Sequence, residues 1–252
     1  MGATGAGRRL SWSGYFLGFA LGGFFDGILL HQILQWHHLL SAINSDDLRF
    51  QVIADGYFHG SMYVIAGVGL WMLATSGQGS PRLLLANVLI GFGIWHVVDS
   101  VLSHWLLGIH RIRMDSGDPL FWDLLWFAAF GLVPLVLGVL MRRKSDGDHP
   151  RQPSSARARV LMAFLVVAGG LQAMRPQENG FTAVLFAPGM EQADILRAVA
   201  SVEGQVVWAD RAGELVVMRP ANGASGWRLF RRGAILVSGS GLPPGCFNNL
   251  RT

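Results

Sequence analysis

Apolar residues run in four long, nearly unbroken stretches, roughly 13–36, 54–74, 83–107 and 119–141. Polar connections such as Asn44-Ser-Asp-Asp-Leu-Arg49 and Thr75-Ser-Gly-Gln-Gly-Ser-Pro81 separate them. Each stretch holds about 20 residues or more, enough at about 1.5 Å per residue to cross a hydrocarbon core of about 30 Å. Each is therefore predicted to be a transmembrane helix. A fifth run, 160–174, is short, but Arg157 and Arg159 precede it and small residues close it. That is the layout of a signal peptide or signal anchor, so it is predicted to span and to carry the C-terminal residues across the membrane. A short interfacial helix is the alternative.

Beyond it the pattern changes. Short apolar runs at 181–186, 205–208, 214–218 and 234–237 read as strands. Residues 191–202 show helical spacing, with Ile195, Leu196, Val199 and Val202 on one side. Asp210-Arg-Ala-Gly213 reads as a hairpin turn and 225–231 as a second short helix. The order β-α-β-β-α-β predicts a small ferredoxin-like domain. The expected fold is an all-α transmembrane four-helix bundle over 1–144, a linker and short fifth helix over 145–175, and a small α+β domain over 176–252.

Composition agrees. Of 252 residues 51% are hydrophobic and 14% charged, where a soluble domain carries about a quarter charged. A disordered, collagen-like or disulfide-stapled chain is excluded. The single cysteine, Cys246, excludes an intramolecular disulfide, a CxxC pair and a multi-cysteine zinc or iron–sulfur site. The net charge is +4, but Lys144 is the one lysine and the arginines are spread along the chain, which is not a nucleic-acid footprint. With the N-terminus inside, the inner segments hold Arg8, Arg9, Arg82, Arg142, Arg143, Lys144, Arg151, Arg157 and Arg159. The outer loops hold Arg49, Arg111 and Arg113. This bias places the N-terminus inside and the last domain on the outer, periplasmic side.

Histidine changes the picture most. Seven of the eight, His31, His37, His38, His59, His96, His104 and His110, fall toward the outer half, and His149 falls in the inner linker. Asp26, Asp55, Asp99, Asp118 and Asp123 accompany the seven. On α-helical rise, His31, His59, His96, Asp99 and Asp123 share a layer roughly 6–16 Å below the outer surface. His37, His38, His104 and His110 form a shallower ring. His96 with Asp99, and Asp55 with His59, lie one turn apart on shared faces. A histidine beside a carboxylate is the arrangement of a metal ligand with its orienting partner, or of a proton relay. Asp26 sits in an apolar run without a local partner, and a charge there is expensive. Singly, such groups bond helix to helix; as a one-sided cluster they point to function. Gly14, Gly18 and Gly22, and Gly23 with Gly27, read as close helix packing. Trp36, Trp105 and Trp122 read as interface anchors, and Arg228, Arg231 and Arg232 as a solvated face.

The strings Gly22-Gly-Phe-Phe-Asp-Gly-Ile-Leu-Leu-His-Gln-Ile-Leu-Gln-Trp-His-His38, Ala54-Asp-Gly-Tyr-Phe-His59 and His104-Trp-Leu-Leu-Gly-Ile-His110 resemble an uncharacterised family of four-helix bacterial membrane proteins, a domain of unknown function. The resemblance covers about 13–141. It implies the four-helix core and the importance of these His and Asp positions, but no activity; a bacterial inner membrane is the expected location. The segment from 160 onward resembles an added exported module. Assembly factors for copper-containing oxidases offer an analogy only.

Three functions compete. The first is a metal site for copper, zinc or iron, drawn from His31, His37, His38, His59, His96, His104, His110, Asp26, Asp55, Asp99 and Asp123. It would serve a respiratory membrane complex, or a periplasmic partner reached through the last domain, or act as a metal-dependent oxidoreductase. With Met62 and Met114 the only methionines near this layer, a soft Cu(I) cage is disfavoured. The second is haem b held by two histidines, such as His31 with His59 or His59 with His96. The third is a cofactor-free relay or scaffold through Asp26, Asp55 and Asp99. Its weakness is an inner half with little polarity beyond Asn87.

Overall fold

The structure is a computed structural model that describes residues 2–34, 36, 40, 42–43, 48–76, 79–146, 156–173, 182–219, 221 and 227–239. The chain divides into two compact units, Met1–His37 with Tyr57–Ala173, and His38–Gly56 with Met174–Thr252.

Among the described residues five helices are long and apolar enough to cross a membrane, and they make up the first unit, apart from the start of the second helix up to Gly56. α1 (Gly2–Asp26) widens into a π-helical turn at Gly27–Ile33. α2 covers Leu48–Thr75. α3 (Pro81–Val98) continues as a π-helical segment, Asp99–Leu106. α4 starts at Pro119–Trp126, passes through a π-helical segment at Phe127–Leu132 and ends with Val133–Asp146. α5 covers Ala156–Ala173. Prolines at the first positions of α3 and α4 use a site where the missing N–H costs nothing. The Asp118 carboxylate caps α4 by accepting from the Phe121 amide at 3.1 Å.

Glycine decides which helices touch. A Cβ at Gly18 would collide with the Val88 carbonyl and one at Gly91 with the Tyr15 carbonyl, so α1 and α3 meet backbone to backbone. Gly93 and Gly138 make the same contact between α3 and α4. Leu17 seats against Gly69, and Met62 against Gly23, which joins α2 to α1. α5 is tied to α2 at both ends. The Tyr63 hydroxyl donates to the Gly170 carbonyl at 2.8 Å. Arg159 donates to the Leu73 and Ser76 carbonyls at 2.7 and 2.9 Å and to the Ser76 hydroxyl. Those carbonyls lie at the end of α2, where i→i+4 donors run out and the Ser76 amide and hydroxyl also turn back to Leu73.

The α1 and α3 windows are 61% buried at mean hydropathies of 1.4 and 1.6, the α2 and α5 windows 28% and 17% buried at 1.3 and 1.4, and the α4 window 17% buried at 2.4. The most apolar helix is thus among the most exposed, as suits a lipid-facing surface.

The second unit contains a four-stranded sheet built from β1 (Thr182–Phe186), β2 (Gln205–Ala209), β3 (Leu215–Arg219) and β4 (Ala234–Gly239). All pairings are antiparallel and the order is β2-β3-β1-β4. α6 (Gln192–Ala200) follows β1, and a single turn, α7 (Trp227–Phe230), precedes β4. Val184, Phe186, Val216 and Met218 pack on one face with Ile195, Val199 and Leu229 from the helices. Ala183, Leu185, Leu215 and Val217 are buried on the other. Burial on both faces explains why β1 and β3 read as unbroken apolar runs rather than alternating ones.

Candidate metal centre

Two of the three π-helical segments hold candidate ligands, His31 in Gly27–Ile33 and Asp99 with His104 in Asp99–Leu106, whereas Phe127–Leu132 is apolar. In an α-helix, Asp99 and His104 would point about 140° apart, at about 100° per residue. The π geometry closes its rings from i to i+5 and so stacks residues five apart. Asp99 and His104 are the pair so stacked. The helix then loosens further: the Leu107 amide bonds the Leu102 carbonyl at 2.9 Å and the Ile109 amide the Ser103 carbonyl at 2.9 Å. Gly108, at φ +61°, takes a left-handed conformation that side chains disfavour. The chain turns there, and His110 comes back against His104 with ring centroids 4.7 Å apart.

Asp99, His104 and His110 are all buried, and one ligand atom from each lies within 4.8 Å of the others. His104 Nε2 is 3.1 Å from Asp99 Oδ2, and His110 Nε2 is 3.6 Å from Asp99 Oδ1. The first approach does not have hydrogen-bond geometry and the second is too long for it. Donor atoms around a tetrahedral ion at about 2.0–2.2 Å would stand about 3.3–3.6 Å from each other. The two approaches to Asp99, one to each of its oxygens, are of that order, and the full set of three ligand atoms lies within 4.8 Å.

A second carboxylate supports the first group. Asp123, on α4, is fully buried. Its Oδ2 accepts from Arg111 Nη1 at 2.6 Å and its Oδ1 from the Ile112 amide at 2.9 Å. The same Oδ1 stands 3.2 Å from His104 Nδ1. Ile112 fixes this loop by burying its side chain beside Leu30 and Trp126. The Arg113 guanidinium lies over the Trp36 and Trp122 rings, 5.1 and 5.3 Å from their centroids.

His96 stands apart from the three. Trp126 Nε1 donates to its Nδ1 at 3.2 Å. An indole nitrogen only donates, so Nδ1 offers its lone pair there and the proton of the neutral ring sits on Nε2. That buried Nε2 has no hydrogen-bond partner among the described residues. Phe25, Phe92, Trp126 and Phe130 surround the ring at centroid distances of 5.9, 4.7, 5.6 and 5.9 Å.

Among the described residues, Asp99, His104 and His110 are the group that gathers three ligand atoms. His31, His59, His96 and Asp26 do not join it. His31 and His59 meet each other instead, with ring centroids 6.4 Å apart, and Asp26 is buried on α1 just before its π turn. His37, His38 and the Asp55 side chain, candidates by sequence, lie outside the described part of the chain, as does His149. His104 and His110, placed by α-helical rise in a shallow ring, are almost fully buried. The reason is the π segment and the Gly108 turn, which an α-helical wheel does not contain. Sequence reasoning does not find Arg111 and Trp126 as partners of Asp123 and His96. The available signal is a basic residue directly after His110.

A family model described as Predicted membrane protein (DUF2243) matches residues 13–145. No curated protein and no solved structure matches the chain.

Proposed function

The chain belongs to the DUF2243 family of predicted membrane proteins, and from that premise we propose that it holds one transition-metal ion through Asp99, His104 and His110. The observation that carries this reading is the convergence of three buried ligand atoms, one each from Asp99, His104 and His110, within 4.8 Å of one another. With its proton on Nδ1, toward Asp123, His104 presents the Nε2 lone pair to the ion. Asp123 then orients the ligand, and Arg111 and Ile112 orient Asp123. Two imidazoles and a carboxylate suit zinc, iron or copper(II). Three protein ligands leave a coordination position for water or a passing donor, the mark of a working rather than a purely structural ion.

The positive-inside count supports a bacterial inner-membrane location with the site near the outer face and the C-terminal domain in the periplasm. The β-α-β-β-α-β succession and the order β2-β3-β1-β4 support a ferredoxin-like reading of that domain. We assign the protein to metal handling on the outer side, supplying a respiratory membrane complex or a periplasmic partner, or to metal-dependent redox chemistry at the open position. The haem alternative has less support, because a Cβ at Gly27 would lie 2.6 Å from His59 Nε2. The α1 backbone therefore occupies the place of a porphyrin face.

The test is metal analysis with a visible spectrum on tag-free protein in detergent. The wild type and His149→Ala are expected to carry one ion per chain, and His104→Ala and His110→Ala to carry none. Equal metal in His110→Ala and the wild type would overturn the site. A Soret band would replace it with a cytochrome.

A further inference from the structure

We propose that the C-terminal unit carries a phosphate-binding cleft formed by Arg228, Arg231, Arg232 and Ser201, independent of the metal centre. These four residues line a cavity of about 530 Å³, within the roughly 300–1,000 Å³ typical of ligand sites. The backbone fixes the arrangement. Leu229 of α7 is buried in the domain core and anchors the turn. The Arg232 amide then bonds the Leu229 carbonyl at 2.9 Å and the Gly233 amide the Phe230 carbonyl at 3.3 Å. Gly233 closes the turn at φ +91°. Arg228 lies on α7 and Arg231 and Arg232 in the turn that follows it, and all three line the cleft.

Among the described residues no carboxylate lines the cleft, and Asp194, on α6, pairs with Arg197 at 2.8 Å. The end of α6 is a weak counter-charge, because the carbonyls of Arg197, Ala198, Val199 and Ala200 already accept from the amides of residues 201–204. The Ser201 hydroxyl donates to the Ala198 carbonyl at 2.6 Å, which leaves its lone pairs to accept from a guanidinium and hold it in place. Three arginines with planar forks match the oxygens of a phosphate group, which they grip in pairs of hydrogen bonds. That phosphate can belong to a soluble phosphorylated compound or to an anionic lipid headgroup.

The full chain in phosphatidylcholine nanodiscs, titrated calorimetrically with inorganic pyrophosphate, tests this. Saturable one-to-one binding is expected. It should weaken at least tenfold in the Arg228→Ala/Arg231→Ala/Arg232→Ala variant and in the milder Arg231→Gln, and remain unchanged in Arg211→Ala, which removes a charge elsewhere in the domain. Repeating the titration in nanodiscs containing phosphatidylglycerol separates the sources. Weaker pyrophosphate binding there assigns the cleft to headgroups, and unchanged binding assigns it to a soluble ligand. Absence of saturable binding in phosphatidylcholine, or equal loss in Arg211→Ala and Arg231→Gln, would overturn the proposal.

Discussion

Asp123 accepts from a guanidinium and a backbone amide while facing His104, so one carboxylate positions both a ring and the loop that carries His110. Asp123→Asn is expected to weaken metal binding by about 10–100-fold, the usual effect of removing a ligand's orienting partner, without abolishing it. A competition titration against a chelator reads that difference, and unchanged affinity would remove Asp123 from the site. His96 predicts the reverse. Trp126→Phe leaves its Nδ1 without a donor, at a stability loss of about 1–3 kcal/mol, seen as a lower melting temperature with metal content unchanged. At this scale the sequence is half informative. It names the histidines and carboxylates from which the cluster of Asp99, His104 and His110 is drawn. It pairs Asp99 with His96, three residues away, because that is the α-helical neighbour. The partner five residues on becomes visible only once the π turn is known, and a single apolar stretch does not record how tightly its backbone is wound.

The helices themselves are legible. Each of the five apolar stretches is a helix, and the glycine spacing in α1 anticipates the close approach to α3. The four strands and the helix α6 lie within one or two residues of their expected positions; of the helix expected over 225–231, Trp227–Phe230 is helical and 225–226 lie outside the described residues. The contrast between packed and open glycines gives a prediction for the elements. A branched side chain at Gly18 must force α1 away from the Val88 carbonyl, so Gly18→Val is expected to destabilise the bundle by about 1–3 kcal/mol or more. A Cβ at Gly67 meets nothing within 4 Å, and Gly67→Ala should hold or raise the melting temperature, since alanine favours the helix by about 1 kcal/mol. Equal melting temperatures for the two variants would show that the α1–α3 contact does not limit stability.

At the scale of the molecule, the lone cysteine offers a direct reading of topology. If the last domain is exported, a membrane-impermeant maleimide should label Cys246 in intact spheroplasts. Labelling only after lysis would return the domain to the inner side. The chain order does not disclose which part of the first unit can open. α1, α3 and α4 touch through glycine backbones and leave no slack between them. The segment that joins α3 to α4, by contrast, contributes His110 to the cluster and Arg111 and the Ile112 amide to Asp123. On the proposed reading an ion would enter or leave as that segment lifts, which would also free the Ile112 amide from Asp123. Its hydrogen–deuterium exchange is then expected to be a clock for the proposed centre, slow in metal-loaded protein and quick in stripped protein, at a backbone position that no ligand touches.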